Sequence, residues 1–335
     1  MPIVISHRDV VNQSNQVFNQ FGESKWIPFA KENAKLKRRN SNELKNSGIG
    51  KVMVSVAMGE STENALPHLK KYRDRYILLT CDKGFGALLE HGVKADYVMI
   101  CDANIPYKWL EPYVNETKDV NLISTVYGNI EWTTKWLGEK YFFINKDAID
   151  SQKRFIPIFG DDSIRIIPAS TNVSNAMIVF MTGGDDTNNI NWAGYDKYLL
   201  TGYDYSWRPF GNYYAWSDPK PKRYYMTHRT IRDLNNQKCL TSENLFFSAK
   251  WMYSYLTTFN FPVINCSGRG LLLIPLQGDI EINLNAIIPD NRLSVLVREA
   301  YANACRASDD FQKARKLFDR CWRATLASRT NCWVR

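Results

Sequence analysis

The sequence predicts an α/β fold, a mostly parallel sheet with helices on both faces, preceded by a helical lead-in and followed by a basic helical tail. Two observations carry this. From Lys51 onward, apolar segments of strand length recur between segments of helical character, and near-continuous apolar strands are the mark of a parallel sheet covered on both sides. The chain can also bury such a sheet: its 335 residues are 44% hydrophobic, 13% aromatic and only 23% charged, which excludes a disordered chain.

Residues 1–50 read as a polar helical lead-in. Its basic run, Lys35, Lys37, Arg38 and Arg39, precedes the breaker cluster Asn46-Ser47-Gly48-Ile49-Gly50, and a solvated helix face explains that run better than an anion site. Strands are expected at 51–58, 75–82, 96–103, 121–128, 140–147 and 164–170, each rich in β-branched and aromatic residues. A helix follows Gly59-Glu60-Ser61-Thr62, another opens at Lys83-Gly84-Phe85-Gly86, and TNVSNAMIVFMTGG (171–184) is a third. A strand at 197–205 enters a long aromatic loop, 206–229, followed by a helix near 242–259, a short strand in FPVINCS and the loop Gly268-Arg269-Gly270. Residues 311–335 carry seven Lys or Arg against the single acid Asp319, which gives the tail its basic bias. The expected organisation is a lead-in (1–50), a Rossmann-like domain (51–290) and a basic helical segment (291–335).

Several classes drop out. The longest apolar runs, such as 271–276, are far short of the roughly 20 residues a membrane-crossing helix needs. The N-terminus lacks the basic and apolar regions of a secretory signal. Seven scattered cysteines without a C-x-x-C pair indicate a reduced, cytoplasmic chain without structural zinc. The 43 Lys and Arg against 34 Asp and Glu leave a net charge of +9, which favours a polyanionic partner, nucleic acid or nucleotide phosphate.

Ligands of open parallel sheets bind at the carboxyl ends of the strands, so strand-end residues are the candidates. Gly59 permits close backbone approach to a phosphate, with Ser61 at the following helix N-terminus; a plain strand-to-helix turn capped by Ser61 or Thr62 fits equally well. Asp82 and Asp102 end the second and third strands, where acids accept ribose hydroxyls, hold a divalent cation or cap helices. Asp102-Ala103-Asn104 resembles a D-x-D metal motif with its last acid replaced, so Mg2+ is admissible without being required. Ser170, Thr171 and Asn172 stand where a strand meets a helix. Asp204, on a strand end beside Tyr203, would be costly to bury unless paired or catalytic. The loop 206–229 interleaves Tyr213, Tyr214 and other aromatics with Arg208, Lys220, Lys222, Arg223 and Arg229, the chemistry of a nucleic-acid groove or a nucleotide-sugar lid. Of the four histidines, His228 alone sits in that loop, placed to act as a general base.

The segment VSVAMGESTENALPHLKKYRDRYILLTCDKGFGALLEHGVKADYVMICDAN resembles the core of the motility-associated-factor flagellin glycosyltransferases and the related 6-hydroxymethylpterin pyrophosphokinase-like proteins. STNVSNAMIVFMTGG, KYLLTGYDYSW and FPVINCSGRGLLLIPL resemble their later segments in order and spacing. The likeness covers residues 50–285; Met58-Gly59-Glu60-Ser61 replaces the family's Gly-Pro-Ser turn, and the flagellin enzymes carry larger flanking domains. The resemblance implies a sialyltransferase-like fold that takes a UDP- or CMP-linked sugar donor. It implies that Gly59, Ser61, Asp82, Gly84, Asp102, Asn104, Ser170, Thr171 and Asn172 hold the nucleotide. Tyr203, Tyr213 or Tyr214 would meet the leaving phosphate, and His228 or Asp204 would be the base. With the basic excess, it points to a glycosyltransferase acting on a hydroxymethylated base of bacteriophage DNA, bound by Arg208, Lys220, Lys222, Arg223 and Arg229. Protein Ser/Thr as acceptor, a magnesium-dependent pterin pyrophosphokinase, and a non-catalytic nucleic-acid-binding protein stay open.

Overall fold

The computed structural model describes residues 22–287 apart from 147–150, 161–163, 169, 184–190, 210, 212, 218–228, 260 and 275–276. The tail 291–335 and four expected site residues, Lys220, Lys222, Arg223 and His228, therefore lie outside the described residues.

Eight parallel strands form one sheet in the order β10-β7-β1-β2-β3-β4-β5-β6. They are β1 (Val52–Val56), β2 (Ile77–Cys81), β3 (Tyr97–Ile100), β4 (Asn121–Thr125), β5 (Lys140–Asn145), β6 (Arg165–Ile167), β7 (Lys197–Thr201) and β10 (Val263–Asn265). From β1 the chain steps outward through β6, then returns to place β7 on the other side of β1, in register from Val52 opposite Lys197 to Val56 opposite Thr201. The order thus reverses between β1 and β7, and that reversal opens a crevice at the strand ends. The mostly parallel α/β sheet expected from the sequence is the sheet observed.

Period-two alternation sends successive strand residues to opposite faces. Met53, Leu79, Met99, Ile123 and Leu200 join one core with helices α6 (Val173–Thr182) and α7 (Glu243–Phe259). Val54, Val56, Leu78, Val98, Ile100 and Leu122 join another with α2 (Ser61–Lys71), α3 (Asp82–Glu90) and α8 (Ile280–Asn285). A smaller cluster packs α1 (Ile27–Ala34) and α5 (Ser151–Phe159) against Phe142 and Ile144. Helix α4 (Ile130–Lys135) is capped by Asn129, which accepts from Glu131 N and Trp132 N.

Three differences from the sequence expectation have local causes. The β3–β4 connection is 3-10 helix over Tyr107–Trp109 and Glu111–Asp119, separated by Leu110, with Pro112 in the first turn of the second segment. The aromatic loop is partly core: Trp207 is fully buried and bridges Leu240 through paired backbone bonds of 3.0 and 2.8 Å. Its expected last residue, Arg229, instead opens an antiparallel hairpin, β8 (Arg229–Arg232) with β9 (Lys238–Thr241). In the lead-in, the basic run is taken up locally: Lys35 pairs with Glu32, Arg39 with Glu43, and Arg38 donates to Ala34 O and Phe159 O.

Candidate functional site

A cavity of about 660 Å³ lies across the carboxyl ends of the sheet. Each strand from β1 to β7 delivers a residue to it: Gly59, Asp82, Asp102, Tyr127, Asn145, Ser170 and Gly202. Of the residues expected from the sequence, it gathers Gly59, Asp82, Asp102, Asn104, Ser170, Thr171, Asn172, Tyr203, Tyr213 and Tyr214. It also takes in residues the sequence did not single out: Trp26, Lys83, Trp109, Tyr127, Asn145 and Asn244. Trp26 comes from the π-helical turn Gly22–Trp26 and stacks on Tyr127 at 4.3 Å and 5°, a long-range pairing that no local motif announces.

Three helices of eight residues or more begin at the wall, α3, α6 and α7, the last through Asn244 and Leu245. Helix N-termini favour anions. At α3, however, the carboxylate of Asp82 already accepts Lys83 N–H at 2.7 Å. Asp82 is the first helical residue and not the strand's last. Desolvation raises its pKa, and the nearby charge of Asp102 adds to the rise against the opposing contribution of Lys83. Asp102 accepts the Asn104 N–H at 2.8 Å, and Asn104 Oδ1 accepts from Lys25, so this D-x-N motif is a self-bonded turn at the cavity mouth. At α6, Asn172 is the N-cap, accepting Asn175 N–H at 2.9 Å. Buried Asn175 then ties the wall together: its amide donates to Thr171 Oγ1 at 2.6 Å and Ser248 O at 3.1 Å, and its oxygen accepts from Tyr205 at 2.6 Å.

Four expected residues have other employment. Asp204 is fully buried and absent from the cavity wall. Its carboxylate accepts Ser61 N–H at 2.8 Å and Ser61 Oγ–H at 2.5 Å, with Arg269 Nε 3.8 Å away. The anion at the N-terminus of α2 is therefore this side chain. Ser61, whose hydroxyl also accepts Gly202 N–H, faces Asp204 and a second cavity of about 400 Å³ that it lines with Arg208 and Arg269. Desolvation raises the Asp204 pKa to about 6, opposed by the Ser61 bonds and Arg269. Tyr203 lines the cavity, but its hydroxyl is committed, donating to Ser174 O at 3.1 Å and sharing a 2.7 Å bond with Ser55. Gly84 serves packing: a Cβ there would sit 2.0 Å from Thr80 Oγ1.

The close approach of the chain beyond β1 to the chain beyond β7 explains two glycines. A Cβ on Gly59 would lie 2.5 Å from Gly202 O and 2.6 Å from Asp204 Cγ; Gly202, at φ +76°, would put one 2.2 Å from Ala57 O. Neither of the described arginines expected to hold nucleic acid lines the cavity. Arg208 pairs with Glu60, which also binds Arg269 at 2.8 Å, and Arg229 pairs with Glu243. Among the described residues no group of three or more His, Cys, Asp and Glu is arranged to hold a metal ion. Nor is any helix among them long and apolar enough to cross a membrane.

A family model described as 6-hydroxymethylpterin diphosphokinase MptE-like matches residues 27–207. Among solved structures, the MAf glycosyltransferase from Magnetospirillum magneticum AMB-1 is similar, with a TM-score of 0.57 at 14% identity over 85% of this chain and 42% of that one. This chain thus spans under half of that enzyme's length, and at such identity the likeness shows the fold. No curated protein matches the chain at significant similarity.

Proposed function

This chain belongs to the 6-hydroxymethylpterin diphosphokinase MptE-like family, and we propose that it is a glycosyltransferase that moves a sugar from a nucleotide-activated donor, UDP- or CMP-linked, to a hydroxyl acceptor. The observation carrying this reading is the strand-end cavity. Its volume of about 660 Å³ suits a small organic ligand. Its wall combines hydroxyls and amides (Ser170, Thr171, Asn172, Asn145) with aromatic faces (Trp26, Trp109, Tyr127, Tyr213, Tyr214), which suit phosphate, base and sugar in turn.

In the proposed reaction the acceptor oxygen attacks the anomeric carbon, the bond from that carbon to the phosphate oxygen breaks, and the phosphate leaves with the electron pair. A base takes the acceptor's proton. His228 is the residue proposed for that role, since Asp204 spends its carboxylate on Ser61. The enzyme otherwise works by positioning and by electrostatic stabilisation of the leaving group. For the acceptor, a hydroxymethylated DNA base is supported by the net charge of +9 and by Lys220, Lys222 and Arg223. Charge reversal at those three positions is expected to abolish DNA binding; unchanged binding would remove DNA as the acceptor.

One observation favours a second reading, a magnesium-dependent diphosphokinase: Asp82 and Asp102 line the same cavity near enough for one to raise the other's pKa. Mg2+ is commonly held by one or two carboxylates plus substrate phosphates, so these two residues would hold it. A thermal-shift screen of nucleotides and nucleotide sugars, with Mg2+ or EDTA, separates the readings. Stabilisation by a nucleotide sugar in EDTA supports the first; stabilisation by ATP that needs Mg2+ supports the second. A ligand at 100 times its Kd adds about 2.7 kcal/mol, so no shift with any of them would refute both.

A further inference from the structure

The aromatic wall of the cavity includes Tyr213 and Tyr214, and both stand outside the strands and helices. They enter a turn over Tyr214–Ser217, closed by Ser217 N–H to Tyr214 O at 3.1 Å and by Tyr214 N–H to Ser217 Oγ at 3.1 Å. Ala215 N–H donates to Met58 O at 3.0 Å, which docks the turn on the chain just beyond β1. The two tyrosine rings pack edge to face at 4.5 Å, and the Lys83 ammonium stands 3.6 Å from the ring centroid of Tyr214. Whatever holds this turn therefore decides the shape of that wall.

The third residue of the turn is Trp216, at φ +55°. Such a position ordinarily takes glycine or asparagine, and a bulky residue there is strained. Strain of this kind persists only where surrounding contacts over-determine the conformation, and it concentrates at ligand clamps and active sites. Two contacts do so here. Trp216 N–H donates to Glu63 Oε1 at 2.7 Å, and the indole stacks on the His91 ring at 4.2 Å and 22°. Glu63 lies in the first turn of α2, and His91 is the C-cap of α3, with its Nδ1 2.8 Å from Ala87 O. Neither of them, nor Trp216 itself, lines the cavity. The Tyr213–Tyr214 wall is thus set by contacts outside the space it encloses.

We propose that Trp216, clamped by Glu63 and His91, is a positioning residue of the donor site: it fixes the turn that presents Tyr214 and its neighbour Tyr213 to the nucleotide donor, and so raises donor affinity without touching the donor. A wall already in its bound form loses no binding free energy to the ordering of those rings. This rests on the nucleotide-donor reading above.

Isothermal titration calorimetry of the full chain with CMP and UDP in EDTA tests it. Glu63→Ala removes the acceptor of the Trp216 N–H and is expected to weaken nucleotide binding about tenfold, the scale of a hydrogen bond to a charged group. Glu63→Gln loses the same charge at the start of α2 but keeps an acceptor, so it is expected to recover most of that loss. Trp216→Gly takes the positive φ without strain and removes the ring from His91; it is expected to weaken binding by a similar factor while circular dichroism shows a folded protein. In a Tyr214→Ala background, Glu63→Ala should cost no further affinity, because the two changes act through one element. Nucleotide affinity equal to wild type in both Glu63→Ala and Trp216→Gly, or an undiminished effect of Glu63→Ala in the Tyr214→Ala background, would overturn the positioning role and leave the donor site standing. A wild-type protein that binds neither CMP nor UDP would overturn the donor reading and this assignment with it.

Discussion

Asp204→Asn is the substitution that most directly separates a structural carboxylate from a catalytic one. Asp204 is fully buried, holds the first N–H of α2 at 2.8 Å and has its pKa raised to about 6 from an ordinary 3.8. Because the folded state then holds its proton more tightly than the unfolded state does, this group favours the fold most below the unfolded value, and the benefit is lost as pH rises through about 6. The rise to about 6 corresponds to about 3 kcal/mol, of which about 2 kcal/mol falls between about pH 4.5 and about pH 7. Asparagine keeps the amide-sized shape and an acceptor for Ser61 N–H but does not titrate. Urea unfolding of wild type and variant across that range isolates the effect, because every other titrating group cancels in the difference. Wild type should gain about 2 kcal/mol relative to Asp204→Asn on acidification, a sizeable part of a stability of roughly 5–15 kcal/mol. A difference that stays flat, or in which wild type gains as pH rises, would refute the reasoning. In the same preparations nucleotide affinity should not change.

Tyr203→Phe removes a hydroxyl committed to Ser174 O and Ser55; it should cost about 1–2 kcal/mol of stability in chemical denaturation and leave nucleotide affinity within twofold, whereas a large affinity loss would make that hydroxyl a phosphate ligand after all. Gly202→Ala forces a Cβ to 2.2 Å from Ala57 O at a positive φ, so a loss of about 3 kcal/mol or more is expected; a melting temperature equal to wild type would show that β1 and β7 can separate there. Asn175→Ala leaves Tyr205 and Ser248 O without their partner in a buried wall, with an expected cost of about 2–4 kcal/mol. His228→Ala should abolish sugar transfer while calorimetry still detects the nucleotide, and full turnover in that variant would require a different base.

Much of this protein can be read without coordinates because parallel strands advertise themselves. VMVSV, ILLTC, YVMI and NLIST are apolar on both faces, since both faces are covered, and the strand-end rule then points to Gly59, Asp82, Asp102 and the Ser170–Asn172 turn, all in the cavity wall. What the sequence could not decide is which way a polar side chain at a strand end turns. Asp204 and Ser61 are 143 residues apart and meet only because β7 lies beside β1; a motif records neither partner. The aromatic loop misleads for the same reason, since Trp207 is buried and its backbone pairs with Leu240 of a hairpin that forms beyond it. Lys83 belongs with these: its sequence context is an ordinary helix start, and only the arrival of Trp109 and Tyr214 from two distant connections sets two rings around its ammonium. Local patterning fixes strands and helices because backbone geometry and burial act over a few residues, whereas the chemistry of the site depends on contacts that chain topology alone brings together.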